Sequence, residues 1–301
     1  MPVDLPPTID PRAAARWGAW RHEDSPWLHE EVARRMEERL QWIKLAPGAW
    51  VHWEPARGGL RGHAALAHRY PQAQCHVVEV PANLPLTRAR LQRPWWGRLP
   101  WRRPQTIFDA PQDGAVQMVW ANMALHMVAD PQALIGVWQR WLATDGFLMF
   151  SCLGPDTLRE LRDAYRSLGW RQPAHEFTDM HDWGDMLVHA GFAEPVMDME
   201  RITLTFDNAP RCLQELRQLG RNLHVGRDAV VHGRIWHRSL LQALDTLAVA
   251  SPQRRALTFE VIYGHAIKAP RRLPVGPQTS VPLSDMRSRL RGGRSATDGL
   301  R

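Results

Sequence analysis

The sequence has few of the marks of a secreted or membrane-inserted protein. Its three cysteines, Cys75, Cys152 and Cys212, lie far apart and form no C-x-x-C pair. An odd, scattered set gives no disulfide framework and no zinc site, and it fits a reducing compartment. The opening stretch, MPVDLPPTIDP, has no positive start followed by an apolar run, so no secretory signal is expected. Nor does any stretch approach the roughly 20 apolar residues that span a bilayer. The cytoplasm is the expected location, and no membrane partner is expected. His232 and His237 stand five apart and would not share a helix face, so no metal site is expected there. No internal repeat is visible.

What is present is a chain of 301 residues, 44% hydrophobic, enough for one large core. Fifteen tryptophans are many for this length. Each buried indole N–H wants a partner, which favours core edges and pocket walls. The net charge of +7 is concentrated at the end of the chain. Beyond Ala269 stand seven arginines against Asp285 and Asp298, which leaves the rest close to neutral, about +2. Such a tail could touch nucleic acid, anionic lipid or an acidic protein. It reads as a solvated end, and no nucleic-acid partner is expected.

Residues 1–24 form an arm rich in Pro, Ala and Arg with no strong period. Ser25-Pro26 reads as an N-cap followed by Pro at the first helical position. Leu28, Val32, Met36, Leu40 and Ile43 then make one apolar helical stripe, which Pro47-Gly48 ends. After this, short apolar runs alternate with helical patterns. The runs are Ala49–Trp53, Cys75–Val80, Thr106–Phe108, Val116–Trp120 and Gly146–Cys152, and the helices are Leu60–Arg69, Leu84–Leu91 and Pro131–Leu142. A helix is expected from Gly154-Pro155-Asp156 to Leu168, and another near Trp183–His189. Strands are expected at Val196–Phe206 and Leu257–Lys268. The whole is an α/β domain with a doubly wound, mostly parallel, seven-stranded sheet. It covers residues 25–268, with a helical insertion at about 209–255 folding over one end of the sheet. Residues 269–301 read as a disordered Arg-rich tail, and Pro94–Pro104, with Trp95 and Trp96, as a surface loop.

In doubly wound sheets ligands bind beyond the carboxyl ends of the strands. The residues there are Glu54 to Gly59, Glu79, Asp109-Ala110, Asn122 with His126, and Gly154 to Thr157. An acid closing the second strand, Glu79, suits a ribose diol because one carboxylate can accept from both hydroxyls. Exposed strand-end acid is the competing reading of Glu79, and ordinary turn chemistry that of Asp109. Asn122 lines a pocket or caps a helix. His126 faces the pocket or is a partly buried structural histidine.

Four segments carry a family resemblance: Pro11 to Trp17, Val119 to Leu125, Phe150 to Leu158 and Thr258 to Ala266. From Asp10 to Lys268 the chain resembles the malonyl-carrier-protein O-methyltransferases of biotin synthesis, which are class I methyltransferases dependent on S-adenosylmethionine (SAM). The resemblance implies methyl transfer from SAM to the free carboxylate of a malonyl thioester on an acyl carrier protein or coenzyme A. It implies a cofactor site at Glu54, Arg57, Gly58, Gly59, Glu79, Asp109, Ala110 and Asn122. It implies an acceptor site at Trp17, His126, Gly154, Thr157 and Tyr263, with Tyr263 also readable as core packing. No catalytic base is expected, because a carboxylate is already ionised near pH 7.

The sequence departs from the family's acid and Gly-x-Gly-x-Gly loop. Trp53 stands where the acid is expected, with Glu54 one place late, and Pro55 and Arg57 replace the first two glycines. Pro55 removes an N–H and fixes φ, and Arg57 brings a positive charge toward a positively charged cofactor. A non-glycine at positive φ adds a cost on the order of 1 kcal/mol. Lost hydrogen bonds add ~1.5–3 kcal/mol, which together would weaken cofactor binding by roughly two or three orders of magnitude. The alternative these changes suggest is a catalytically impaired member serving as a binding or regulatory module. Trp17 stands where the family's arm carries a Tyr, which keeps an aromatic wall and moves its polar handle.

Overall fold

The computed structural model describes residues 8–91, 106–228, 230, 232–246, 248–249 and 251–270. The Trp-rich loop at 94–104 and nearly all of the Arg-rich tail lie outside these residues. Seven strands form one sheet: β1 (Ala49–Trp53), β2 (Gln74–Val78), β3 (Val116–Ala121), β4 (Leu142–Leu153), β5 (Phe192–Phe206), β6 (Ala248–Val249) and β7 (Ser251–Lys268). Their order is β2-β1-β3-β4-β7-β5, with β6 paired to β7. The first four run parallel to one another, and β7 pairs antiparallel with β4, β5 and β6. The expected strand Thr106–Phe108 is reduced to a single parallel bridge from Ile107 to His76. The short β6 hairpin makes up the seven in its place.

Alternation along the strands sorts the core into two layers. Trp50, Met118, Trp120, Phe147 and Met149 face a cluster with Leu28, Val32 and Met36 of α2 (Trp27–Arg39) and Leu66 of α4 (Leu60–Arg69). Val51, Val119, Ala121, Leu148 and Phe150 face the opposite cluster. There they meet Ile135, Trp138 and Trp141 of α6 (Pro131–Trp141) and Trp183 and Leu187 of α8 (Met180–His189). Helices on both faces explain why β3 and β4 read as continuous apolar runs. Asp130 and Asp179 cap α6 and α8 by accepting from Ala133 N and His181 N.

Three local expectations are revised. The arm holds a helix, α1 (Pro11–Gly18), capped by Asp10 and burying Ala13 and Trp17. Ser25 does not cap α2, which has Pro26 at its cap position. The Ser25 hydroxyl instead donates to Ala56 O at 3.0 Å and accepts from Leu60 N at 3.1 Å, pinning the loop after β1. The turn from Gly154 to Thr157 delays α7 to Arg159–Ser167. Of the remaining helices, α3 (Pro55–Gly58) follows β1, and α5 is Leu84–Leu91. Helices α9 (Ala209–Leu219) and α10 (Arg234–Thr246) precede the last hairpin. No helix among the described residues is long and apolar enough to cross a membrane.

Gly264 of β7 lies opposite Phe150 of β4. A Cβ there would meet the Phe150 ring at 2.1 Å, inside a fully buried layer. Gly264→Ala is expected to cost about 1–3 kcal/mol through overpacking, read as a lower midpoint in chemical denaturation. An unchanged midpoint would mean that the Phe150 ring moves aside freely.

Candidate functional site

The chain leaves β1 through a left-handed residue. Glu54 has φ of 46°, and the short turn α3 follows with Pro55 at its first position. The positive-φ residues here are Glu54 and Gly59 (φ 120°). Pro55 and Arg57 sit without strain in a helical turn, so the cost expected at those two positions moves to Glu54. The left-handed turn also accounts for the late acid. Trp53 points into the opposite layer, with ring centroids 5.6 Å from Trp138 and 6.1 Å from Trp141. Glu54 points to the loop side, where Arg57 Nη1 donates to its Oε2 at 2.9 Å. At Gly59 a Cβ would press on Ala33 and Glu30 at 3.2 Å, so this glycine serves both φ and the approach of α2.

Arg57 is 7% exposed. Besides Glu54 it donates to Trp17 O, Gly18 O and His22 Nε2, each at 3.3 Å, and stands 5.2 Å from the Trp17 ring centroid. It thus ties α1 and the following turn to the loop after β1. Its charge is compensated by Glu54, which weakens the expectation of simple repulsion. Burial raises the Glu54 carboxyl above its ordinary value, Arg57 opposes that rise, and Glu79 adds to it.

Glu79 closes the turn from the next strand. Its Oε2 accepts from Ala56 N and Thr87 Oγ1, both at 2.9 Å, and its Oε1 from Val80 N at 2.9 Å. Burial raises its pKa against these bonds. Asn122, at the end of β3, is fully buried. Its amide donates to His29 O at 2.8 Å and to Gly58 O, and its oxygen accepts from Ser151 Oγ at 2.6 Å. A Cβ on Gly58 would meet Asn122 O at 3.0 Å. Asn122 therefore clips α2, α3 and β4 together.

His126 is 3% exposed, and neither ring nitrogen has a hydrogen-bond partner among the described residues. Trp17 Nε1, His29 Nε2, Asn83 Nδ2 and His175 Nδ1 are also buried and unpaired. These groups lie on connected elements. His29 Nδ1 contacts Arg57 O at 2.8 Å, His22 N donates to Asn83 Oδ1 at 2.8 Å, and His175 Nε2 meets His126 O at 2.7 Å. Unmet buried polar atoms are rare in native folds. Trp50, His52, Trp120, Trp138 and Trp183 carry five more inside the strands and helices, and those beyond the strand ends are the ones a polar ligand would satisfy. Burial lowers His22, His29 and His175 to about 4, and His126 well below its ordinary value, so all are neutral at pH 7.

The structure thus brings together Trp17, Glu54, Arg57, Gly58, Gly59, Glu79, Asn122 and His126. It does not bring in the others. Asp109 and Ala110 are exposed, and the Asp109 carboxylate accepts from the Ala110 amide at 2.8 Å. Gly154 and Thr157 bind the turn after β4 to β7, through Gly154 N to Glu260 O at 2.9 Å and Thr157 Oγ1 to Glu260 O at 3.1 Å. Tyr263 is buried under α2, its hydroxyl bonded to Glu200 and its ring 3.7 Å from the Arg39 guanidinium. The acceptor reading of Gly154, Thr157 and Tyr263 gives way to packing, because their polar atoms are already used. Tyr263→Phe is expected to cost about 1 kcal/mol of stability while leaving any ligand affinity unchanged, as calorimetry on the variant would show.

His22, His29, Asn83, Thr87 and His175 belong to the cluster and were not singled out from sequence. His29 had a readable signal: with Ala33, Met36 and Leu40 it forms a second helical line on the buried face of α2. No spacing announced Thr87 or His175. Among the described residues no group of three or more His, Cys, Asp and Glu could hold a metal ion.

A sheet of this order, with its polar cluster beyond the ends of β1, β2 and β3, is the class I methyltransferase fold. A protein of Bacillus halodurans assigned as a methyltransferase superposes with a TM-score of 0.52, covering 80% of this chain and all of that one at 15% identity. The YcgJ protein of Bacillus subtilis gives 0.51, covering 80% of this chain and 99% of that one at 12% identity. No family model matches the chain. Relatives narrow the class. The malonyl-[acyl-carrier protein] O-methyltransferase of Gallionella capsiferriformans is 38% identical over 268 residues, 86% of this chain and 91% of the relative. Those of Laribacter hongkongensis and Nitrosospira multiformis are 36% and 35% identical, over 85% and 89% of this chain and 87% and 92% of theirs. The chain belongs to the malonyl-[acyl-carrier protein] O-methyltransferase family.

Proposed function

We propose that the protein transfers a methyl group from SAM to the free carboxylate of a malonyl thioester on an acyl carrier protein, a step of biotin synthesis. The observation that carries this reading is the pair of carboxylates at the ends of β1 and β2, Glu54 and Glu79, on elements linked to the unpaired buried polar groups of Trp17, His29 and Asn83. The chain fits the cofactor. Glu79 retains acceptor capacity beyond its three hydrogen bonds for a ribose diol, since a carboxylate has about four acceptor sites. Asn83, whose amide nitrogen is unpaired, stands near it through His22 and the turn before α5.

SAM supplies an electrophilic methyl on a sulfonium. The chain's own residues position and desolvate. Trp17 offers an unpaired indole N–H, and His126 an unpaired imidazole, for one oxygen of the acceptor carboxylate. Both are uncharged at neutral pH, so they orient the carboxylate without quenching its nucleophilicity, and no base is required. Helix α1, held by Arg57, covers the cluster and keeps water out. The buried thiols Cys75 and Cys152 fit a reducing compartment, in keeping with the cytoplasm.

Isothermal titration with SAM and with its demethylated product S-adenosylhomocysteine tests this reading. Binding of both in the micromolar range is expected, roughly that of enzyme substrates. Absence of any heat change at high micromolar ligand contradicts it.

A further inference from the structure

Three charges act on one another beyond β1 and β2: Glu54 and Glu79, both negative, and Arg57, positive. Arg221, whose guanidinium lies over the Trp17 and Trp20 rings, adds a second positive charge. SAM brings an ammonium and a carboxylate at its amino-acid end, one charge for each member of the Glu54–Arg57 pair.

The match extends to geometry. A Glu–Arg pair closed on itself at 2.9 Å presents the two partners that an α-amino-acid zwitterion needs, in complementary order. The Arg57 fork has five N–H donors. One is spent on Glu54, and its other contacts, to Trp17 O, Gly18 O and His22 Nε2, are long at 3.3 Å. Long neutral contacts exchange for a bidentate carboxylate at a gain, because charge-assisted forks are shorter and roughly twice as strong.

We infer that Glu54 and Arg57 form a receptor for the zwitterionic end of SAM, Glu54 taking the ammonium and Arg57 the carboxylate. This rests on the SAM-dependent reading above. Arg57 is then a binding residue that replaces the close backbone approach of a glycine loop with a charged side-chain contact. It also couples ligand to lid, since the same guanidinium contacts the carbonyls of Trp17 and Gly18 in α1.

The test is calorimetry on the full-length protein with SAM, decarboxylated SAM and methylthioadenosine, which lacks the amino-acid end. The native protein is expected to bind SAM about 30-fold more tightly than decarboxylated SAM, the worth of one charged hydrogen-bonded contact. In Arg57→Ala that gap closes to about threefold. Arg57→Lys keeps the charge without the fork and falls between. Thermal melts check that each variant is folded, and if Arg57→Ala is not, the native gap and Arg57→Lys decide. Equal native affinity for SAM and its decarboxylated form overturns the inference, as does tighter SAM binding by Arg57→Ala. If no adenosyl ligand binds the native protein, the functional reading falls as well. Methylthioadenosine and SAM binding without the carboxylate gap removes the receptor alone.

Discussion

Between pH 6.5 and pH 4 the protein is expected to lose most of its stability. Burial lowers His29, His63 and His175 to about 4, and lowers His52 and His126 well below their ordinary values. Neighbouring charge adds to this, from His63 on His52, and from His29, His175 and Arg57 on His126. In the unfolded chain each titrates near its ordinary value of 6.5. Through the window the unfolded state therefore binds more protons than the folded one, and stability falls as pH falls. The full contribution is present above about 6.5 and is lost progressively toward 4. At pH 5 each of His29, His63 and His175 costs roughly 2 kcal/mol, at about 1.4 kcal/mol per unit. The three together are a large share of a domain's stability, and His52 and His126 act in the same direction. The raised carboxyls of Glu54 and Glu79 act in the opposite sense, stabilising the fold as they protonate, and offset a part. Urea midpoints followed by tryptophan fluorescence should drop steeply from pH 6.5 to 5. A flat profile across that range would mean that these histidines are not buried as described.

Glu54→Ala carries the second large effect. It leaves Arg57, 7% exposed, beside carbonyls and a neutral imidazole without its ion-pair partner. Breaking a buried pair by removing one member costs more than the pair was worth, about 2–4 kcal/mol at this degree of burial. The alanine also keeps the positive φ of 46° that Glu54 now occupies. SAM affinity should fall about 100-fold through loss of the ammonium partner. The double change Glu54→Ala with Arg57→Ala separates the two consequences. It should recover part of the stability, because the orphaned charge is gone, and none of the affinity. A double variant no more stable than Glu54→Ala would show that the charge pair does not set the cost.

Much of this was readable before the fold. The apolar runs became β1 to β4 because strands covered on both faces carry no polar side, and Glu79 followed from its position at the end of one of them. Leu60–Arg69 and Leu84–Leu91 were legible as helices to the residue. The Thr106–Phe108 run was too short to hold more than one bridge at the sheet edge. The loop after β1 was the least legible part. The family resemblance set Pro55 and Arg57 against glycines and suggested strain and repulsion, whereas the left-handed Glu54 takes over the positive φ and pairs with Arg57. A backbone angle of that kind leaves no mark on spacing. Tyr263, Gly154 and Thr157 stood out by family likeness, and their hydroxyls and amide are spent on Glu200 and Glu260, partners distant in sequence. His126 and the Nε2 of His29 acquire meaning from what they lack, a hydrogen-bond partner, which only three-dimensional structure reveals.

The central claim is that a cofactor loop rebuilt around Glu54 and Arg57 still supports methyl transfer. Incubating the native protein with SAM and a malonyl-loaded acyl carrier protein, and weighing the carrier by intact-mass spectrometry, tests it directly. The account predicts a carrier heavier by one methyl group, esterified at the free carboxylate, with many turnovers per protein. An unmodified carrier, under conditions where the same preparation binds SAM, would contradict it.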